Sequence, residues 1–154
     1  MYMRIVVGLD GSKFAEQVLP HVEALATEFG SVVTLLRATT VDRTLIQPTA
    51  HMMPATGPIT HTIPMVEDAR NAASAYLADV AQRLSNQTFR VEYEVVPGSA
   101  ADVIAEGAER LHADLIAMTT HGEGGLGRLV FGSVADAVLR RTPCPVLLVR
   151  VSGS

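Results

Sequence analysis

The stretch RIVVGLDGSKFAEQVLPHVEALATEFGSVVTLLRA, residues 4–38, contains two short apolar runs separated by a longer amphipathic segment. Both runs, residues 4–10 and 31–38, are rich in β-branched and other apolar side chains, which is typical of buried strands. Between them, apolar residues recur every three or four positions, which indicates a helix. These residues are Phe14, Val18, Val22, Leu25 and Phe29. The stretch therefore predicts a strand–helix–strand unit.

The ends of this first helix carry recognisable signals. Ser12 stands where an N-cap residue belongs, and Gly30 stands where the chain is expected to leave the helix. Pro20 lies inside the predicted helix and removes one backbone donor, so we expect a kink there.

The remainder of the chain repeats this alternation. Further strands are predicted in FRVEYEVVP at 89–97, ADLIAM at 113–118 and CPVLLVRV at 144–151. The residues expected to face inward are Val66, Ala69, Ala73, Leu77, Val80 and Leu84 in a second helix, Ile104, Ala108 and Leu111 in a third, and Val134, Val138 and Leu139 in a last one. Apolar strands that alternate with helices predict an α/β fold, an open doubly wound parallel sheet with helices on both faces.

Two features refine this plan. Ser99 and Asp102 form a capping-box pair for the third helix, and Arg140 and Arg141 complement the C-terminal dipole of the last one. The strand at 89–97 alternates charged with apolar residues, which suits an edge strand with one wet face. Ligands of such sheets bind beyond the carboxyl ends of the strands, so the loops after the first, second and fourth strands matter most.

Length and composition favour one soluble domain. The chain has 154 residues, 48% of them hydrophobic, which is enough for a real core. The formal charge of -4 is scattered along the chain, so we expect neither a nucleic acid nor a membrane as partner. No signal peptide or membrane-spanning run is recognisable, and we expect a cytoplasmic protein. The single cysteine, Cys144, excludes an internal disulfide and is expected to be a small buried filler.

Residues 39–63 form one long irregular segment. Such a length indicates either a functional or a disordered connection. His51, Met52, Met53 and His61 lack the tight spacing of a metal site. We favour a flap over a ligand, or a surface for a partner.

The run HGEGGLGRLVFGS, residues 121–133, holds five of the chain's twelve glycines. Its GEGGLG matches the dinucleotide pattern G-x-G-x-x-G, but it follows the fourth predicted strand rather than the first, and no acidic residue ends the next strand. GLDGSK, after the first strand, has too few residues between its glycines for a P-loop. Neither motif therefore predicts the fold it is named for.

A phosphate cradle at a helix N-terminus fits the glycine run better. Gly122 follows a strand, and Gly132 and Ser133 stand at the start of the last helix, whose first N–H groups have no partner within the helix. Ser133 and Asp136, however, form a capping-box pair that would satisfy the same donors internally. The residues alone leave both interpretations open.

The motif THG at 120–122, followed by nine residues and GS at 132–133, resembles the latter part of the G-x-x-G-(nine residues)-G-[ST] signature of the universal stress protein family. The resemblance extends over most of the chain. IVVGLDGS at 5–12, ADLIAMTTHG at 113–122 and GSVADAVLRRTPCPVLLV at 132–149 resemble the family's first strand and turn, its fourth strand, and its closing helix and strand.

The resemblance implies a five-stranded parallel sheet in the order 3-2-1-4-5, of the adenine nucleotide alpha-hydrolase-like type. For the ATP-binding branch of the family it also implies ATP as the ligand. The nucleotide-binding residues that it implies are Gly8, Leu9, Asp10, Ala38, Met118, Thr119, His121, Gly122, Gly132, Ser133 and Val134. Asp10 would meet the ribose or a Mg²⁺ ion, although it could equally cap the helix near Ser12. Thr119 stands where the signature has its first glycine, and its side chain could narrow the pocket.

The resulting prediction is a universal stress protein that acts as an ATP-dependent switch, with slow or no hydrolysis because no catalytic lysine, arginine or metal can be placed. The alternative is a nucleotide-free dimeric interaction module of the same fold. A flavodoxin-like electron carrier shares the architecture, but the chain has no Trp and only three Tyr. The apolar strand at 145–151 lies at the other sheet edge in this order, which predicts a homodimer through antiparallel strand pairing.

Overall fold

Strands and helices alternate along the described chain, which in the computed structural model comprises residues 1–39, 63–85, 88–121 and 132–151. The elements are β1 Arg4–Gly8, α1 Leu19–Phe29, β2 Val32–Thr39, α2 Ile63–Leu84, β3 Arg90–Pro97, α3 Ala100–Arg110, β4 Leu115–His121, α4 Ser133–Arg141 and β5 Val146–Val151. A short 3₁₀ helix, Ala15–Val18, precedes α1.

The five strands form one parallel sheet in the order β3-β2-β1-β4-β5. The order predicted from the family resemblance is thus confirmed. Gly8 of β1 pairs with Leu36 of β2, and Val7 pairs with Ala117 of β4. β3 lies at one edge of the sheet and β5 at the other, as predicted. Arg90 of β3 is exposed there.

Helices cover both faces of the sheet. On the face of α1 and α2, Val7, Leu35 and Leu77 are fully buried in one apolar cluster. On the opposite face, Ile116 and Val138 are fully buried in a second cluster with residues of α3 and α4. Burying one such side chain contributes about 1.5–3 kcal/mol, so the strands are held by side chains on both sides.

The start of α1 differs from the prediction. The chain enters through the 3₁₀ helix, and α1 begins only at Leu19, so Pro20 lies in the first turn rather than at an internal kink. A proline there removes no hydrogen bond of the helix, because the first N–H groups of a helix have no partner within it. Ser12 accepts a hydrogen bond from Ala15 N at 3.1 Å, ahead of the 3₁₀ helix, instead of capping α1. Phe14, predicted to face inward, is 46% exposed.

Three other inward predictions are wrong. Val66 and Ala69 are exposed. The 22 residues of α2 make it longer than the strands it covers, and its first turns find no apolar partner among the described residues. Leu139 is exposed, because Val138 occupies the buried face of α4 and the next residue points away from it. The left-handed Gly30 does end α1, as predicted.

Cys144 is half-buried beside the start of β5. Its Sγ donates to the Ala113 carbonyl at 3.4 Å, and burial raises the pKa of the thiol. The thiol is protonated and packed, but it is half-buried rather than buried as predicted. None of the described helices is both long and apolar enough to cross a bilayer.

Candidate functional site

The carboxyl ends of β1, β2 and β4 meet at one edge of the sheet, because the three strands are parallel neighbours. This edge brings together most of the predicted nucleotide-binding residues. Those on the strands and the turn after β1 are Gly8, Leu9, Asp10, Ala38, Met118, Thr119 and His121. Met118 and Ala135 share one buried cluster, which places the first turn of α4 beside the end of β4.

The turn after β1 is tied to the sheet and to itself. Leu9 N donates to the Leu36 carbonyl at 2.9 Å, and Ser12 N donates to Asp10 Oδ1 at 2.8 Å. Gly11 adopts a φ of 89°, a left-handed value that favours glycine. Asp10 therefore stabilises its own turn, ahead of the 3₁₀ helix, rather than capping a helix as its predicted alternative role requires. Its side chain is exposed at the sheet edge.

Several predicted site residues have a packing role that accounts for their identity. The Leu9 and Met118 side chains are each 5% exposed and belong to the core, so only their backbones face the edge. A Cβ on Gly8 would lie 2.6 Å from Ile104 Cδ1, so glycine there allows α3 to pack closely on β1. Ala38 is half-buried against the apolar cluster under α3.

Thr119 lies within β4, paired with Val149, and is half-buried. Side chains alternate along a strand, and Ala117 faces the cluster under α1, so Thr119 faces the same side. His121 is the last residue of β4 and pairs with Val151. Gly122, predicted to hold phosphate, lies outside the described residues.

The start of α4 tests one of the two interpretations of the glycine run, the capping box. Gly132 is the N-cap, with φ 79° and ψ 154°, a conformation almost restricted to glycine, and Ser133 is already the first helical residue. Asp136 N donates to the Gly132 carbonyl at 3.0 Å, while the Asp136 carboxylate accepts from Arg140 Nε at 2.9 Å. The predicted Ser133–Asp136 capping box is therefore wrong. Among the described residues, no side chain caps the front of α4.

The start of α3 shows what a capped helix looks like in the same chain. Ser99 is the N-cap there, and its hydroxyl accepts from Asp102 N at 3.3 Å, as predicted. Its backbone is extended, with φ -71° and ψ 147°, unlike Gly132. The contrast leaves N–H groups at the front of α4 directed away from the helix, with partial positive charge.

Glu16, Lys13 and Arg83 form a charged cluster that follows the turn after β1. Glu16 accepts from Arg83 at 2.6 Å and pairs with Lys13 at 3.1 Å, and its side chain is only 10% exposed. Burial by itself raises the pKa of Glu16, but the hydrogen bonds and charges of Arg83 and Lys13 outweigh it, so the pKa lies below its usual value.

Two residues near the carboxyl edge of the sheet, Arg37 and Tyr76, were not predicted from the sequence. Arg37, near the end of β2, lies with its guanidinium carbon 5.1 Å from the ring centroid of Tyr76 in α2. The Tyr76 hydroxyl is buried and has no hydrogen-bond partner in the described structure. The signal available in the sequence was a single charged residue in the apolar strand VVTLLRAT.

In the described part of the chain, no three His, Cys, Asp or Glu side chains cluster so as to hold a metal ion. Magnesium coordination by Asp10 therefore stays a prediction. His51, Met52, Met53 and His61 lie outside the described residues.

The model of the Universal stress protein family matches residues 1–150. The chain belongs to the universal stress protein family. Universal stress protein MJ0531 of Methanocaldococcus jannaschii is 30% identical over 150 residues, which cover 97% of this chain and 83% of that protein.

Solved structures of universal stress proteins share the fold. MJ0577 of Methanocaldococcus jannaschii superimposes with a TM-score of 0.70 at 26% identity, and the match covers 100% of this chain and 99% of that one. A universal stress protein from Archaeoglobus fulgidus, solved in complex with dAMP, superimposes with a TM-score of 0.61 at 22% identity, covering 96% and 97%. At this identity, the second likeness shows that the two proteins share the fold.

Proposed function

We propose that this universal stress protein is a cytoplasmic, nucleotide-dependent switch of the stress response that binds an adenine nucleotide, with ATP and Mg²⁺ as the leading candidates. The ligand would lie at the carboxyl edge of β1, β2 and β4. Adenosine would contact the backbones of Gly8, Leu9 and Ala38, with Asp10 on the ribose or the metal. The complex of the Archaeoglobus fulgidus relative with dAMP supports the choice of an adenine nucleotide.

The observation that carries the proposal is the front of α4, which no side chain of the described residues caps. Anions bind at such helix ends because several N–H groups converge there and the helix dipole is favourable. Ser133 adds an exposed hydroxyl that caps no described N–H group. At position 132, an added Cβ would meet no atom of the described residues within 4 Å, so glycine leaves space there. These features fit the phosphates of a nucleotide.

Hydrolysis would be slow. Phosphoryl transfer needs cationic groups on the transferred phosphate, commonly a lysine, an arginine or a metal. Lys13 is the only lysine of the chain, and it forms an ion pair with Glu16. We therefore expect binding to act through a change of conformation rather than through turnover.

Titration calorimetry with ATP and Mg²⁺ tests the proposal, using Ser133→Ala and Ser99→Ala as a matched pair. We expect Ser133→Ala to weaken ATP binding about tenfold, the worth of a hydrogen bond to a charged group, with little change in stability. Ser99→Ala removes a true N-cap, so it should cost about 1 kcal/mol of stability and leave ATP binding unchanged. Absence of binding by the unsubstituted protein at millimolar ATP would overturn the proposal.

The second candidate is a nucleotide-free dimeric module of the same fold. The hydrogen bond from Ser12 N to Asp10 favours it, because this bond gives Asp10 a structural role without any ligand.

In both cases we propose a homodimer through β5. Val146 to Val149 are apolar and half-buried at the open edge of the sheet, and an antiparallel copy of the strand would cover them.

A further inference from the structure

Arg37 is a half-buried cation at the carboxyl edge of the sheet. Leu35 packs under α1 and α2, and side chains alternate along β2, so Arg37 faces the same side, where it meets Tyr76. Ala38, the next residue, faces the opposite side with Leu36. The sheet edge thus carries a guanidinium beside a residue that the resemblance assigns to adenosine.

Two contacts hold the guanidinium in place. One of its faces lies toward the Tyr76 ring, with the guanidinium carbon 5.1 Å from the centroid, a cation–π distance. The second contact is with Gly11, where an added Cβ would lie 2.9 Å from Arg37 Nη2 and 3.0 Å from Cζ. Only a residue without a side chain allows this approach. Arg37 is therefore packed against the turn that carries Asp10.

The guanidinium of Arg37 has hydrogen-bond donors that the described residues do not use. It has five N–H groups, and no described residue lies in hydrogen-bonding or ion-pairing distance of them. The nearby carboxylates are engaged elsewhere: Glu16 binds Arg83 and Lys13, and Asp10 accepts from Ser12 N. A half-buried arginine that packs against an aromatic ring and a glycine turn, and whose donors bind no described residue, is suited to bidentate binding of a phosphate.

We propose that Arg37 binds a phosphate esterified to the ribose, so that the preferred ligands are adenine nucleotides with a phosphate on the 3′ or 2′ oxygen; this rests on the proposed function. In dinucleotide-binding folds, a carboxylate near the ribose takes its hydroxyls and an arginine takes a phosphate attached there. This chain presents both groups on adjacent strand ends, Asp10 and Arg37. One ribose oxygen would carry the phosphate, and the other would donate to Asp10.

The experiment compares AMP with adenosine 3′,5′-bisphosphate and adenosine 2′,5′-bisphosphate by titration calorimetry on the full chain. These ligands differ only in one ribose phosphate. We expect at least one bisphosphate to bind about tenfold more tightly than AMP, as a charge-assisted bidentate contact provides. In Arg37→Met that gain should disappear while AMP affinity stays within about threefold, and Arg37→Lys should retain part of it.

Matched variants separate this contact from general effects of charge and folding. Arg70→Met removes one positive charge from α2, the helix that carries Tyr76, and should keep the full gain. Tyr76→Phe retains the aromatic ring and should keep it too. Thermal unfolding of each variant reports any loss of structure. Equal affinity for AMP and both bisphosphates, or a gain that survives in Arg37→Met, overturns the assignment while nucleotide binding stands. If neither AMP nor ATP binds, the proposed function fails together with it.

Discussion

At the scale of single residues, the buried hydroxyl of Tyr76 is the clearest departure from ordinary packing. Buried polar atoms are nearly always hydrogen-bonded, and one left without a partner costs about 1–3 kcal/mol. We therefore expect Tyr76→Phe to raise the free energy of unfolding by about 1 kcal/mol in urea titrations at neutral pH. Tyr93→Phe, at a residue 42% exposed, is the control and should change little.

The same side chain has a signature in alkali. Burial, with the charges of Glu16 and Asp10, raises the pKa of Tyr76 from 10.0 to about 12. A raised pKa in the folded state means that the stability contribution is complete below pH 10 and declines as the pH rises toward 12. The advantage of Tyr76→Phe over the unsubstituted protein should therefore widen across that range. A constant difference would mean that the hydroxyl has a partner or meets water.

At the scale of elements, Glu16 links the 3₁₀ helix to α2 through Arg83. Its lowered pKa means that the contribution to stability is present above the ordinary value of 4.5 and is lost as the pH falls through the folded-state pKa. We expect Glu16→Gln to cost on the order of 1 kcal/mol at pH 7 and progressively less below pH 4.5. Denaturant titrations from pH 7 to pH 3 measure the difference. High salt should reduce the stability cost of Glu16→Gln at pH 7, because Arg83 is 49% exposed and the ion pair is therefore screened.

The elements themselves were largely predictable from the sequence, because they depend on local periodicity. The strand in RIVVG and the buried spacing of Leu77 and Val80 needed no tertiary information. The start of α1 was not predictable in the same way, since the first-turn position of Pro20 depends on the 3₁₀ helix before it. Exposure of Phe14 follows from that entry and not from its spacing.

The candidate site shows the same division. The strand ends that carry Gly8, Asp10 and Ala38 followed from the order of the elements and the resemblance. The start of α4, which no described side chain caps, did not follow from them, because the positive φ of Gly132 moves the N-cap one residue ahead of Ser133. Arg37 was missed because its meaning depends on Tyr76, which belongs to a helix far along the chain.

At the scale of the whole molecule, the open edge of β5 carries the prediction of a homodimer. Ile116 N donates to the Pro145 carbonyl at 2.9 Å, so Pro145 faces β4. N–H groups alternate along a strand, which directs those of Leu147 and Val149 toward β4 and that of Arg150 toward the open edge. An antiparallel partner strand would bond to these outward groups.

Arg150→Pro tests this pairing without removing a bond to β4. The substitution replaces an exposed side chain and deletes one outward donor, and proline at an edge blocks strand addition. Light scattering at micromolar concentration should give twice the 16.4 kDa of one chain for the unsubstituted protein and for Arg150→Ala, but one chain for Arg150→Pro. A monomeric unsubstituted protein would exclude the dimer. A dimeric Arg150→Pro would place the interface elsewhere, since only pairing through the β5 backbone needs that N–H.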